Sequence, residues 1–237
     1  MNLGFARIKN LFLKRLKNNY YLYDHDLYKN HKISFSQEGE DIVLERYFDG
    51  INSGFYVDVG AHHPQRFSNT YHFYLKGWRG INIDATPGSM LSFNDLRPND
   101  INLEVGISND NKAYKYFVFS EPALNTMSEF TANQYIDKGW PLEKCIQLQT
   151  KTLESVLDQY LTHGQQIDFM NIDVEGFDYK VLASNCWEKY RPKFMLVELL
   201  NCDSLEDVNK TKEYKYLKEF GYCLVAKTFN TAFFKYI

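Results

Sequence analysis

Four short clusters in this chain put carboxylates beside glycine or small polar residues at places where the backbone must turn. The first is Asp58-Val59-Gly60-Ala61-His62-His63-Pro64, where Gly60 allows a tight turn beside a ligand and Asp58 supplies a carboxylate. A dinucleotide fingerprint would need two further glycines, and His62 and Pro64 stand there instead. An ordinary strand-end turn explains the same residues. The second cluster ends in Asp84, 24 residues after Gly60. That is near the offset of ~20 residues at which an acid accepts both hydroxyls of an adenosine ribose. Capping of the next helix is the alternative role for Asp84. Gly106-Ile107-Ser108-Asn109-Asp110 is small and polar, suited to an adenine edge or to a plain turn. The sharpest cluster is Asn171-Ile172-Asp173-Val174-Glu175-Gly176. Asp173 and Glu175 point the same way if a strand continues through them. Glu198 lies one apolar run later, followed by Asn201 and Asp203. Acids gathered in this way can act as a general base, bind a divalent cation or hold a cationic cofactor; caps and salt bridges are the bland alternatives.

Each cluster closes an apolar run. Strands are expected at FYVDVG (55–60), GINIDA (80–85), INLEVGIS (101–108), IDFMNID (167–173), KFMLVEL (193–199) and YCLVAKTF (222–229). Runs apolar on both faces suit a parallel sheet covered on both sides. Helices are expected between them at 68–76, 89–97, 152–160, 177–185 and 205–220. Alternation of this kind predicts a doubly wound α/β fold with helices on both faces. In such a sheet, ligands bind beyond the carboxyl ends of the strands, where all four clusters fall. Two additions break the rhythm. KAYKYFVFS (112–120) reads as an inserted strand, with 112–140 as a lid or acceptor wall. The final strands, 222–229 and 232–237, are too close in sequence to be anything but antiparallel.

Composition fits this reading. The chain has 237 residues, enough for one sizeable domain, and a net charge of −3, which argues against general nucleic-acid binding. No run is long and apolar enough to span a bilayer. Cys145, Cys186, Cys202 and Cys223 form no CxxC pair, so reduced thiols in a cytoplasmic protein are expected. The start places Ile8, Leu11, Phe12 and Leu16 at helical spacing among five basic residues. It reads as a helical extension over 1–33, docking on protein or touching an anionic membrane through 1–19. The remainder, 34–237, is one domain.

Asp58-x-Gly60, Asp84 and Asp173 at successive strand ends, with a terminal hairpin, resemble a class I S-adenosylmethionine-dependent methyltransferase. SFSQEGEDIVLERYF (34–48), YVDVGAHHPQRFSNTYHFYLKGWRGINIDATPGS (56–89), TKTLESVL (150–157) and IDFMNIDVEGFDYKVL (167–182) narrow the resemblance to the FkbM family. It implies a Rossmann-like, seven-stranded, mostly parallel sheet with an antiparallel last strand. It also implies methyl transfer, usually to oxygen, on sugars of surface polysaccharides or on natural products.

By position, Asp58, Gly60 and Ala61 would line the methionine part of the cofactor. Asp84 would grip the ribose, and Ile107 with Ser108 would border the adenine. Gln37, Ser68, Asn69, Thr70 and Asp173 would complete the cofactor site. Glu175 is the first candidate base and His63 the second. Asp173 and Glu198 are candidate ligands for a divalent cation, by analogy with related O-methyltransferases. Tyr71, Phe73, Trp78 and Trp140 could offer a platform for a sugar ring, nucleotide-linked or free, though core packing suits any one of them. An NAD-dependent sugar dehydrogenase or epimerase is the rival reading, weakened by the missing glycines; an inactive scaffold is another. Acceptor identity, metal dependence and oligomeric state are not specified.

Overall fold

The computed structural model describes residues 31–237. The chain divides into two units, Met1–Ile33 and Ser34–Ile237, and the helix expected over 1–19 lies outside the described residues. The second unit carries a seven-stranded sheet. Its strands are β1 (Phe55–Val59), β2 (Arg79–Asp84), β3 (Ile101–Glu104), β7 (Phe169–Ile172), β8 (Phe194–Glu198), β9 (Tyr222–Lys227) and β10 (Thr231–Tyr236). Their order is β3-β2-β1-β7-β8-β10-β9, parallel except where β10 runs antiparallel to both neighbours. The sheet is therefore the mostly parallel, Rossmann-like one with a reversed last strand.

Alternation along the strands explains its two faces. Val57, Val59, Met170, Ile172, Met195 and Val197 pack on one side in an aliphatic cluster. That side is covered by α5 (Leu153–Tyr160), α6 (Asp178–Leu182), α7 (Leu205–Val208) and α8 (Lys212–Glu219). The residues between them, Tyr56, Phe169, Phe194 and Leu196, join Trp78 and Phe233 in an aromatic cluster on the other side. There α1 (Glu40–Tyr47) and α2 (Tyr71–Leu75) contribute Leu44 and Phe73. On the aromatic side the alternation next places Asp58 and Asn171, directly paired across β1 and β7, at the carboxyl ends. The helix after β2, α3 (Met90–Leu96), packs Met90 and Phe93 against Ala61.

A second, three-stranded sheet is built from β4 (Gly106–Ile107), β5 (Ala113–Phe119) and β6 (Leu142–Lys151), in the order β4-β6-β5. The single strand expected over 101–108 is thus two. Val105 gives its N–H to the Asp84 carbonyl at 2.9 Å, and the chain then leaves the main sheet to pair with β6. The long helix expected over 205–220 is also two, because Thr211 caps a second start by accepting the Tyr214 N–H at 3.1 Å. Strand β6, helix α1 and helix α4 (Glu129–Asp137) were not foreseen. Among the described residues no helix is long and apolar enough to cross a membrane.

Candidate active site

The carboxyl ends of β1, β2, β7 and β8 open into a cavity of about 290 Å³, closed on one side by the inserted β5–α4 segment. Gly60 begins its floor at φ +85°. A Cβ there would stand 1.7 Å from the Asp173 carbonyl oxygen, so only glycine lets the ends of β1 and β7 come together. The N–H groups of Gly60 and Ala61 both donate to the Ile83 carbonyl, at 2.9 and 3.0 Å, so the two residues give the site shape rather than donors.

Asp84 lines the cavity at the end of β2. Its two oxygens accept the backbone N–H groups of His62 and Thr86, at 2.9 and 2.7 Å. It caps no helix: Ser89, not Asp84, precedes α3. An ionised carboxylate has about four acceptor positions, so two remain for a ligand's hydroxyls. Deeper in, Asp58 accepts from Thr70 Oγ1 at 2.7 Å and Asn171 Nδ2 at 3.0 Å, and Asn69 Nδ2 donates to Asn171 Oδ1 at 3.0 Å. Behind them the fully buried Arg97 donates to Thr70 Oγ1 and is paired with Asp100 at 2.9 Å. Burial raises the Asp58 carboxyl, and Thr70 and Arg97 work against that rise.

Gln37, Asp58, Gly60, Ala61, Asn69, Asp84, Ile107, Asp173, Glu175 and Glu198 all line this one cavity. Ser68, Thr70 and Ser108 are buried beside it and do not line it. Ser68 accepts the Tyr71 N–H at 3.1 Å, and the Ser108 N–H goes to the Lys151 carbonyl at 3.0 Å, so both shape the walls. His63 also stays out of the lining. Its Nδ1 accepts the N–H groups of Gln65 and Arg66, at 3.1 and 3.0 Å, which occupies that nitrogen in holding the turn.

The acids meet by a route different from the expected one. Strand β7 ends at Ile172, and Glu175 sits at φ +54°, so a turn rather than strand alternation aims its side chain. The turn is pinned from three sides. Asp178 accepts the N–H groups of Val174 and Gly176, Thr126 Oγ1 donates to the Glu175 carbonyl at 2.8 Å, and the Tyr135 hydroxyl donates to Glu175 Oε2. One oxygen each of Asp173, Glu175 and Glu198 lies within 4.8 Å of the others. Burial raises all three carboxyls, and mutual repulsion adds to the rise of Glu175 and Glu198.

Residues 58–223, well over half of the chain, match the Methyltransferase FkbM domain. The chain belongs to the FkbM methyltransferase family. A search of curated proteins returned no match. Within the cavity the polar acceptors stand at the β1 and β2 ends and the acids at the β7 and β8 ends. Between them Val105, Ile107 and Met127 form an apolar wall.

Four contributors escape sequence reasoning. Asn171 reads as strand interior, yet the register of β7 sets it beside Asp58. Tyr135 comes from the inserted α4. Arg66 and Glu121 form a bidentate pair at 2.8 and 2.9 Å, and both line the cavity. Of the aromatic residues considered, Phe73 and Trp78 are core and Tyr71 does not line the cavity, whereas Trp140 is 44% exposed and does; Phe67, which sequence reasoning did not single out, also lines it at 39% exposure.

Proposed function

We propose that this methyltransferase moves a methyl group from S-adenosylmethionine to a hydroxyl of a sugar, free or nucleotide-linked, in the building or modification of a surface polysaccharide. The observation that carries this reading is a single cavity holding Asp84, the Asp58–Asn171–Asn69 chain and Glu175 together. The cofactor fits the residues present. Asp84 keeps free acceptor positions suited to ribose hydroxyls, and Ile107 and Met127 offer an apolar wall for a base. Asp58 and Asn69 lie where a charged methionine tail would rest. When bound, S-adenosylmethionine supplies a methyl carbon made electrophilic by its sulfonium.

The chain's own task is to place and deprotonate the acceptor. A sugar hydroxyl is a poor nucleophile at neutral pH, so alignment alone does not suffice. Glu175 is assigned as the base, because it lines the cavity and Tyr135 and Thr126 fix its orientation. It takes the hydroxyl proton as the acceptor oxygen gains the methyl group. His63, held in its turn outside the lining, is not assigned this role. Trp140, 44% exposed, lines the cavity and offers a ring on which a sugar can stack, whereas the Phe67 ring is already faced by the Arg66 guanidinium at 4.2 Å.

Incubation with methyl-labelled S-adenosylmethionine and a panel of free and nucleotide-linked sugars tests the proposal. Label in an alkali-stable ether on a sugar is the expected result. Label found only on an amine or a carboxylate would overturn the sugar-hydroxyl assignment.

A further inference from the structure

Six carboxylates line the main cavity, from Asp58, Asp84, Glu121, Asp173, Glu175 and Glu198. Among the described residues its only basic side chains are His62 and Arg66. Walls so acidic repel an anionic ligand unless a cation meets its charge. Both basic residues belong to the loop after β1, and that loop is held in one shape. His62 and Phe67 bracket it in the left-handed region, at φ +55° and +57°, a conformation unusual for residues other than glycine. Inside it, His63 Nδ1 accepts the N–H groups of Gln65 and Arg66, and Gln65 Nε2 donates to the Tyr71 hydroxyl at 2.8 Å.

The Arg66 side chain is fixed in turn. Its guanidinium lies over the Phe67 ring, 4.2 Å from the centroid. Nη1 and Nη2 donate to the two Glu121 oxygens at 2.8 and 2.9 Å, and Nη1 stands 3.2 Å from His62 Nε2. A guanidinium only donates, so His62 Nε2 accepts and the imidazole is neutral, the form that its burial also favours. A guanidinium has about five N–H groups, and these contacts use all but two. The two left over, on Nε and Nη2, share the side edge of the group and make no hydrogen bond among the described residues. Glu121 therefore sets the plane of the guanidinium and leaves its second fork open at the cavity, with the side chain 43% exposed. Two parallel N–H donors of this kind match two oxygens of a phosphate or carboxylate.

We propose that Arg66, positioned by Glu121 and His62, binds a phosphate of the acceptor, so that the acceptor is a sugar phosphate or nucleotide-linked sugar and not a free sugar. This assignment rests on the methyl-transfer reading above and narrows it. A cavity of about 290 Å³ is at the small end for even one drug-sized ligand. With the cofactor inside, the acceptor reaches in with its sugar ring and leaves its charged end at the rim, where Arg66 is exposed. A phosphate suits that place better than a ring carboxylate. It projects from the ring on a bond of its own, so its charge stays clear of Asp173, Glu175 and Glu198 while the hydroxyl turns toward Glu175.

The test titrates the full chain with inorganic pyrophosphate by calorimetry, with and without S-adenosylhomocysteine. Beside it, methyl transfer to sugars is compared with transfer to their 1-phosphates and nucleotide-linked forms. One pyrophosphate per chain is expected, bound roughly tenfold or more weakly by Arg66→Gln. Arg66→Lys, which keeps the charge but loses the fork, should fall between the two. The parent should favour phosphate-bearing acceptors in kcat/KM, and Arg66→Gln should remove that preference through KM and not kcat. Absence of pyrophosphate binding would overturn the proposal. So would binding that Arg66→Gln leaves unchanged, which would mark an adventitious ion only, or equal transfer by the parent to free and phosphorylated sugars. Weaker S-adenosylhomocysteine binding in Arg66→Gln, with methylthioadenosine binding kept, would give Arg66 to the cofactor's carboxylate and overturn the acceptor assignment. A parent that binds no S-adenosylhomocysteine would overturn the cofactor reading, while pyrophosphate titration of the unloaded chain still decides the phosphate site.

Discussion

Tyr135 donates its hydroxyl to the carboxylate of Glu175, and so ties the inserted helix α4 to the turn that follows β7. The two residues are forty positions apart, and nothing in the local sequence of either announces the other. Their contact makes the insertion part of the site's geometry as well as its wall. Glu175 is held at a positive φ by this bond, by Thr126 and by the Asp178 cap.

Tyr135→Phe removes the bond and leaves the ring. On this account kcat for methyl transfer falls on the order of tenfold to a hundredfold, and Glu175→Gln costs more, within the range of about 10²–10⁴ typical of a lost general base. Affinity for S-adenosylhomocysteine stays as it was in both variants. Steady-state kinetics beside calorimetry check this; an unchanged kcat in Tyr135→Phe would remove the positioning role.

Gly60→Ala should damage the fold itself. The added methyl meets the Asp173 carbonyl at 1.7 Å in a backbone conformation that L-residues rarely adopt. The expected loss is about 3 kcal/mol or more, read by urea denaturation. A near-normal midpoint would show that the ends of β1 and β7 are not packed as described.

Burial raises the Asp178 carboxyl to about 8, with repulsion from Asp173 adding to it, and burial raises Asp58 as well. An acid that holds its proton more tightly folded than unfolded stabilises the fold below its unfolded value of 3.8. That contribution is lost as pH climbs through the folded value. Thermal stability should therefore decline between about pH 5 and pH 8.5, and Asp178→Asn should flatten the slope. Stability that instead rose with pH across this window would contradict the assigned shifts.

Arg66 and Glu121 join the loop after β1 to the segment before α4, with side chains 43% and 30% exposed. A pair so exposed is worth at most ~1 kcal/mol, so Glu121→Gln should weaken S-adenosylhomocysteine binding by no more than about fivefold. A much larger loss in titration would mean that Glu121 touches the ligand directly.

Much of the main sheet is legible in the sequence because its strands are apolar on both faces, as Tyr56 with Val57 and Met195 with Leu196 show. The parts that escape are half-exposed. In β6 only Ile146, Leu148 and Thr150 face inward, alternating with polar residues, and α4 is a polar helix whose start is marked by the Ser128 cap. Asp84 is legible in the site from its distance to Gly60. Asn171 is not, because its meaning lies in a neighbour across the sheet, Asp58, that local sequence cannot name. Ser68 and Thr70 show the reverse case. The family resemblance implies contact with a cofactor for both, while their hydroxyls face inward to hold Tyr71, Asp58 and Arg97.

The central claim is that the cavity holds S-adenosylmethionine with Asp84 on its ribose. Calorimetric titration of the full chain with S-adenosylhomocysteine, run beside NAD, tests it most directly. The account predicts binding of S-adenosylhomocysteine alone, weakened in Asp84→Ala by about 1.5–3 kcal/mol, the worth of hydrogen bonds to a charged group. Binding of NAD instead, or of S-adenosylhomocysteine with equal affinity in Asp84→Ala, would contradict it.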